Sequence, residues 1–205
     1  MDLDTMRARV RTDLRDPSAE RWGDDTLDRH IARALAEFSL AAPREASATL
    51  ATSEGSRDLD LASLDGRIAV DGVEYPVGQY PPALVAFSIW GETLTLDVDS
   101  APPAGEDVLV RYSAAHTLDA EGTTVPDALH DLVATGAAAY AAIEWASYAT
   151  NRINVGGDDV WRRYLAWGQD RLATFSRALA KHGRERRLKS RRLYVATAAA
   201  GGRRG

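Results

Sequence analysis

The sequence predicts an α+β fold, mainly helical: a four-helix bundle with a small antiparallel β insertion between helices 2 and 3 and an extended basic C-terminal arm. Three observations predict it. Apolar residues recur every three or four positions at both ends of the chain, they alternate with a period of two between about residues 46 and 118, and basic residues crowd the end.

In the first segment, residues 2–15, Leu3, Met6, Val10 and Leu14 form one apolar helical face. Asp16-Pro17 stops it, because the residue before proline is pushed out of the helical region. Asp24 or Asp25 caps a second helix carrying Leu27, Ile31, Leu35 and Phe38, which Pro43 closes. Trp22, just ahead of the cap, is expected to pack over the first turn as a hydrophobic staple. The alternating stretch then reads as strands at 48–52, 58–61, 67–73, 84–90, 93–98 and 107–113. Asp65-Gly66 and Asp71-Gly72 are read as turns, and Gly91-Glu92 as a two-residue hairpin needing glycine's positive φ. Some seventy residues of short strands suggest a small sandwich or open barrel.

The helical period returns with Pro126 at a first helical position, followed by Leu129, Leu132, Val133, Gly136, Tyr140 and Ile143 on one face. Residues 134–142 are almost all alanine and glycine, which lets a neighbouring helix or subunit approach closely. After a break at 154–157, Asp158 or Asp159 caps a last helix with Trp161, Tyr164, Leu165, Gly168, Leu172, Phe175 and Leu179 inward, ended by Gly183. The expected organisation is an N-terminal helical hairpin at 1–45, the β insertion at 46–118, a second helical hairpin at 119–182 and the arm at 183–205.

At 205 residues the chain fits one domain, or one carrying an inserted second. Hydrophobic residues at 45% and charged residues at 27% argue against wholesale disorder. With no cysteine, disulfides, thiolate zinc sites and cysteine nucleophiles are excluded. The N-terminus is charged from its second residue, unlike a secretory signal, and the longest bland run is too short for a bilayer, so no membrane association is expected. From Lys181 onward nine basic residues face one acid, Glu185; that local +8, within a total of −5, leaves −13 on the preceding 180 residues. An acidic body repels the nucleic-acid backbone, whereas a basic arm seeks an acidic surface.

The usual catalytic patterns fail. No Gly-x-Ser-x-Gly elbow exists, and Ser56 has no assembled partner in sequence. His30, His116, His130 and His182 are never four apart on one helix. His116 is expected to hydrogen-bond a loop carbonyl. Asp58-x-Asp60 lacks the later ligands of a calcium loop, and Asp97-x-Asp99 reads as solvated charge on a strand edge. Gly156-Gly157 precedes Asp158-Asp159, whose charge opposes a phosphate. No catalytic residue, cofactor or metal is expected. What remains is assembly, with nucleic-acid binding through the basic arm as the alternative.

The stretch Trp22-Gly-Asp-Asp-Thr-Leu-Asp-Arg-His-Ile-Ala-Arg-Ala-Leu-Ala-Glu-Phe-Ser, running into Ala42-Pro43-Arg44-Glu45, resembles the opening of head–tail connector (adaptor) proteins of long-tailed double-stranded DNA phages and phage-like particles. The β insertion ending Val108-Leu-Val-Arg-Tyr-Ser-Ala-Ala-His-Thr-Leu118 is similar too, as is Thr124-Val-Pro-Asp-Ala-Leu-His-Asp-Leu ahead of an Ala/Gly-rich helix. The resemblance covers nearly the whole chain. It implies a non-enzymatic virion protein in the neck between capsid and tail, assembled in the host cytoplasm. Such a protein forms a homo-oligomeric ring, typically dodecameric, beneath the portal. The ring extends the DNA channel without sequence-specific contact and receives a downstream stopper or tail protein. On this reading the basic arm meets the portal through Arg184, Arg186, Arg187, Lys189, Arg191 and Arg192, with Leu193 and Tyr194 as apolar anchors. Asp97→Ala and His116→Ala are accordingly expected to remove no turnover, which an assay for metal-dependent hydrolysis of the purified protein checks.

Overall fold

A computed structural model describes residues 1–149 and 160–189. Four helices, α1 (Leu3–Leu14), α2 (Asp24–Ala41), α3 (His130–Ala149) and α4 (Val160–Lys189), flank six strands: β1 (Arg44–Ala51), β2 (Asp58–Asp60), β3 (Arg67–Glu74), β4 (Leu84–Trp90), β5 (Thr93–Asp97) and β6 (Asp107–Ala114). The α+β class and every expected strand are present. The bundle with a small insertion is not the architecture found. The strands form one antiparallel sheet in the order β1-β6-β3-β4-β5-β2, and its outermost strands β1 and β2 approach each other, curling it into a half-barrel. This unit has a hydrophobic core of its own, including Leu59, Leu94, Leu96, Val108 and Val110, separate from the helical core.

The helices are not four equal partners. α3 packs against each of the other three, and most of its side chains from Val133 to Ala142 are buried. Its small residues make this possible. A Cβ added at Gly136 would lie 2.9 Å from the ring of Phe175, and one at Gly168 would lie 2.8 Å from Ile143 and 3.1 Å from the Ala139 carbonyl oxygen. The close approach expected from the Ala/Gly run is therefore between α3 and α4 of one chain. The pairs Gly136–Phe175 and Ile143–Gly168 run in opposite directions, so the helices are antiparallel.

Several termini differ from expectation for local reasons. α1 stops one residue earlier than read, with Arg15 in the left-handed region at φ 56°. Asp16, only 6% exposed, then accepts hydrogen bonds from the backbone N–H groups of Glu20, Arg21 and Trp22. Gly23, not Asp24 or Asp25, is the N-cap of α2, because the Asp24 carboxylate receives Arg11 at 2.6 Å instead. Pro126 caps a 3-10 turn (Asp127–Leu129) rather than opening α3. Asp71-Gly72 lies inside β3, at an irregularity in its register with β6, and makes no turn. Gly91, at φ 60°, does form the two-residue hairpin between Trp90 and Thr93. The caps expected at Asp158 or Asp159 and the break at 154–157 lie outside the described residues.

Of the apolar residues read as inward, Leu27, Ile31, Phe38, Tyr140 and Phe175 are buried, whereas Leu129 and Leu172 are half-buried against the same core. Phe175→Ala is expected to cost about 3–5 kcal/mol in urea unfolding, since its ring is fully enclosed. Gly168→Ala is expected to lose stability as well. The ~1 kcal/mol gained in helix propensity is outweighed by overpacking of about 1–3 kcal/mol against a backbone carbonyl.

Candidate assembly surfaces

The two units meet at His116, which follows β6. Its backbone N–H donates to Ser39 Oγ at 3.0 Å, and its ring stacks obliquely on Phe38 at 5.1 Å between centroids. Nε2 lies 3.0 Å from the Ala42 carbonyl oxygen and Nδ1 2.9 Å from that of Thr124. A neutral imidazole donates to one carbonyl, as expected; with the proton on Nε2 that is Ala42, and Nδ1 accepts from the Thr124 hydroxyl at 3.2 Å, so both chain crossings between helices and half-barrel are held.

Ion pairs stitch the helices together. Arg7 makes a two-pronged contact with Asp28 at 2.6 and 2.7 Å, which raises the guanidinium pKa further above its usual range. Arg29 reaches Glu144 at 2.6 Å, and Arg9 pairs with Asp131. Tyr140 donates to Glu37 at 2.7 Å; burial, and then this bond, push its pKa up to about 12. Arg33 sits 3.8 Å above its ring.

Trp22 is far more than a staple. It is 2% exposed, meets Trp145 and Tyr164 edge-on or tilted, and donates Nε1–H to the Ala141 carbonyl at 3.2 Å. Arg21 covers the cluster, with its guanidinium 2.8 Å from the Tyr164 hydroxyl. The tryptophans of this group are structural. A surface cavity of about 270 Å³ nearby is lined by Asp13, Arg15, Arg163, Leu14, Tyr164 and Trp167.

The carboxylate pairs do not converge. Asp58 accepts from the Thr95 hydroxyl at 2.6 Å and Asp60 from the Ala62 N–H at 2.9 Å. No group of three or more His, Asp or Glu side chains able to hold a metal occurs among the described residues. No helix among them is long and apolar enough to cross a membrane.

The basic arm begins as helix. α4 continues through Gly183, whose Cα faces the carbonyl of Ala41 (an added Cβ would sit 3.7 Å from it), and ends at Lys189. Extending the antiparallel register places His130 beside position 181. The last eight residues of α4 therefore run about 12 Å past the start of α3. Arg184 is exposed there, and positions 186, 187 and 189 share the same projecting helix. Glu185, the one acid of the basic stretch, lies 4.0 Å from Lys181 and 3.5 Å from His182, so local pairing occurs there. Arg191, Arg192, Leu193 and Tyr194 lie outside the described residues. Apolar exposure is concentrated on the half-barrel, at Trp90 (90%) and at Tyr80 (98%) at its opposite end. Nothing in the alternating pattern distinguished Trp90 from a core residue, because only the register reveals the face it occupies.

The basic end of α4 and the exposed aromatics of the half-barrel thus lie on separate elements. The chain belongs to the SU10 adaptor protein family, whose model matches residues 1–200. That is the family class read from the Trp22, Val108 and Thr124 segments. No curated protein matches. Among solved structures, a chain from "Neck of empty GTA particle computed with C6 symmetry" is 14% identical, with 82% of this chain and 88% of that chain covered and a TM-score of 0.31.

His30, on α2, is 3% exposed, and its Nε2 makes no hydrogen bond although Glu144 Oε2 lies 3.2 Å away. Burial holds its pKa below the ordinary 6.5. The folded state prefers the neutral ring and the unfolded chain binds the proton more readily. Its contribution is therefore complete above the unfolded value and lost as pH falls below it. Urea midpoints measured from about pH 7.5 down to 5 are expected to fall, and to fall less in His30→Asn.

Proposed function

We propose that this protein is a neck component of a phage or phage-like particle that forms a ring adaptor between the portal and the next connector or tail protein, extending the DNA channel. The observation that carries this reading is the match of nearly the whole chain to an adaptor family. The charge distribution supports it. An acidic body lets DNA pass without gripping it, since phosphate and carboxylate repel. Arg184 is exposed on the end of α4 that runs past the start of α3, which suits contact with another protein.

On this reading the portal-facing element comprises Arg184, Arg186, Arg187 and Lys189 on the last turns of α4, followed by Arg191, Arg192, Leu193 and Tyr194. Guanidinium groups suit such a contact because they bind carboxylates with two parallel hydrogen bonds. The ring stoichiometry expected from the family resemblance is twelve, within the virion and after assembly in the host cytoplasm.

Removal of residues 183–205 is expected to leave the body folded, as judged by circular dichroism, while abolishing co-sedimentation with portal-bearing capsids. Unchanged attachment of the truncated chain would overturn the docking role of the arm. Salt-sensitive binding of the isolated full chain to double-stranded DNA, lost on the same truncation, would favour the nucleic-acid alternative.

A further inference from the structure

Within the half-barrel, residues 44–114 carry twelve acidic and four basic side chains, net −8, whereas α4 carries nine basic and two acidic over 160–189, net +7. The register shows where the acid is displayed. Asp60, Thr93 and Trp90 are neighbours across β2, β5 and β4, as are Asp58, Thr95 and Ser88, while Asp97 pairs with Ala86. Paired residues share a face, and here it is the outer one, opposite Leu59, Leu94 and Leu96. Among the described residues, no cation lies within ion-pair distance of Asp58, Asp60 or Asp97. Trp90 stands in this acidic field with 90% of its surface exposed. A bare indole at a hairpin tip contributes nothing to its own core.

The exposed side of α4 is its complement. Ala166, Ala173 and Ala180 recur every seven residues on the face away from Phe175 and are all exposed. They make a shallow shelf, bordered along one side by Asp170, Arg177 and Lys181 and closed at its end by Arg184. α4 spends its other face on α3 and α2.

We propose that the acidic outer face of β2-β5-β4 in one copy docks on the exposed face of α4 in the next, with Trp90 lying on the alanine shelf between the basic side chains. The contact joins two different surfaces of one chain, so it is heterologous and propagates from copy to copy, closing into a ring where the rotation allows. The indole supplies the apolar anchor and can stack under a guanidinium. The charges set register and speed encounter more than they add affinity. This inference rests on the ring reading above and names the surfaces that build the ring.

The absence of cysteine makes the contact directly testable. Thr93→Cys, beside Trp90, is mixed under mild oxidation with a full-length chain carrying Ala173→Cys or Ala180→Cys, both in solution and on portal-bearing capsids. Disulfide-linked dimers are expected from the mixture and not from either variant alone. Adding Trp90→Ala to the Thr93→Cys chain should lower the yield about tenfold, the scale of one aromatic anchor. Raising salt to about 1 M, where the Debye length is about 3 Å, should lower it as well. Several copies on each capsid with no mixed cross-link would overturn the assigned surfaces while leaving the ring reading intact. Dimers from Thr93→Cys alone would replace the proposal with a like-to-like contact. Single copies on each capsid would overturn ring and interface together.

Discussion

The close approach of α3 and α4 is the constraint on which the helical unit depends. Gly136 leaves room for the Phe175 ring, and Gly168 lets α4 ride against the Ala139 carbonyl and Ile143. Side chains at either glycine would push the helices apart and open the space that Phe175 fills. Because α3 is lined with alanine on nearly every side, three helices can surround it, and its burial is not confined to one stripe. The two glycine contacts also fix the antiparallel register, and with it the length of α4 that projects past α3. The position of the basic end is thus a consequence of where two hydrogen atoms replace two methyl groups.

The half-barrel solves its packing separately. Its sheet curls until β1 and β2 approach, enclosing an aliphatic core that shares no residue with the helical one. Two cores in one chain need a joint, and His116 supplies it by reaching Ala42 on one crossing and Thr124 on the other. A joint made of directional hydrogen bonds fixes orientation. The outer face of β2, β5 and β4 is exposed at Asp58, Asp60 and Trp90.

That division has an electrostatic consequence. Negative charge accumulates on the half-barrel and positive charge on α4, so one molecule carries complementary surfaces that it does not bring together itself. The pairs stitching the helices, Arg7 with Asp28 and Arg29 with Glu144, are spent internally.

Most helices and strands are written in local signals of the chain. Period-four apolar spacing at Leu27, Ile31 and Phe38, period-two spacing from Leu94 to Leu96, and Gly91 at a hairpin are local signals, and local backbone preferences obey them. The adaptor family was legible for the same reason, in the spacing of acid, aromatic and apolar positions after Trp22. Tertiary structure decided what depends on partners distant in the chain. Asp24 gives up capping because Arg11 claims it, Asp71-Gly72 becomes a bulge because β6 runs alongside, and Gly183 stays helical in spite of its propensity. Whether an aromatic is core or surface was decided the same way. Phe175 and Trp90 look alike in sequence, but one meets a glycine across the helix pair and the other meets solvent, because burial is a property of the opposing surface.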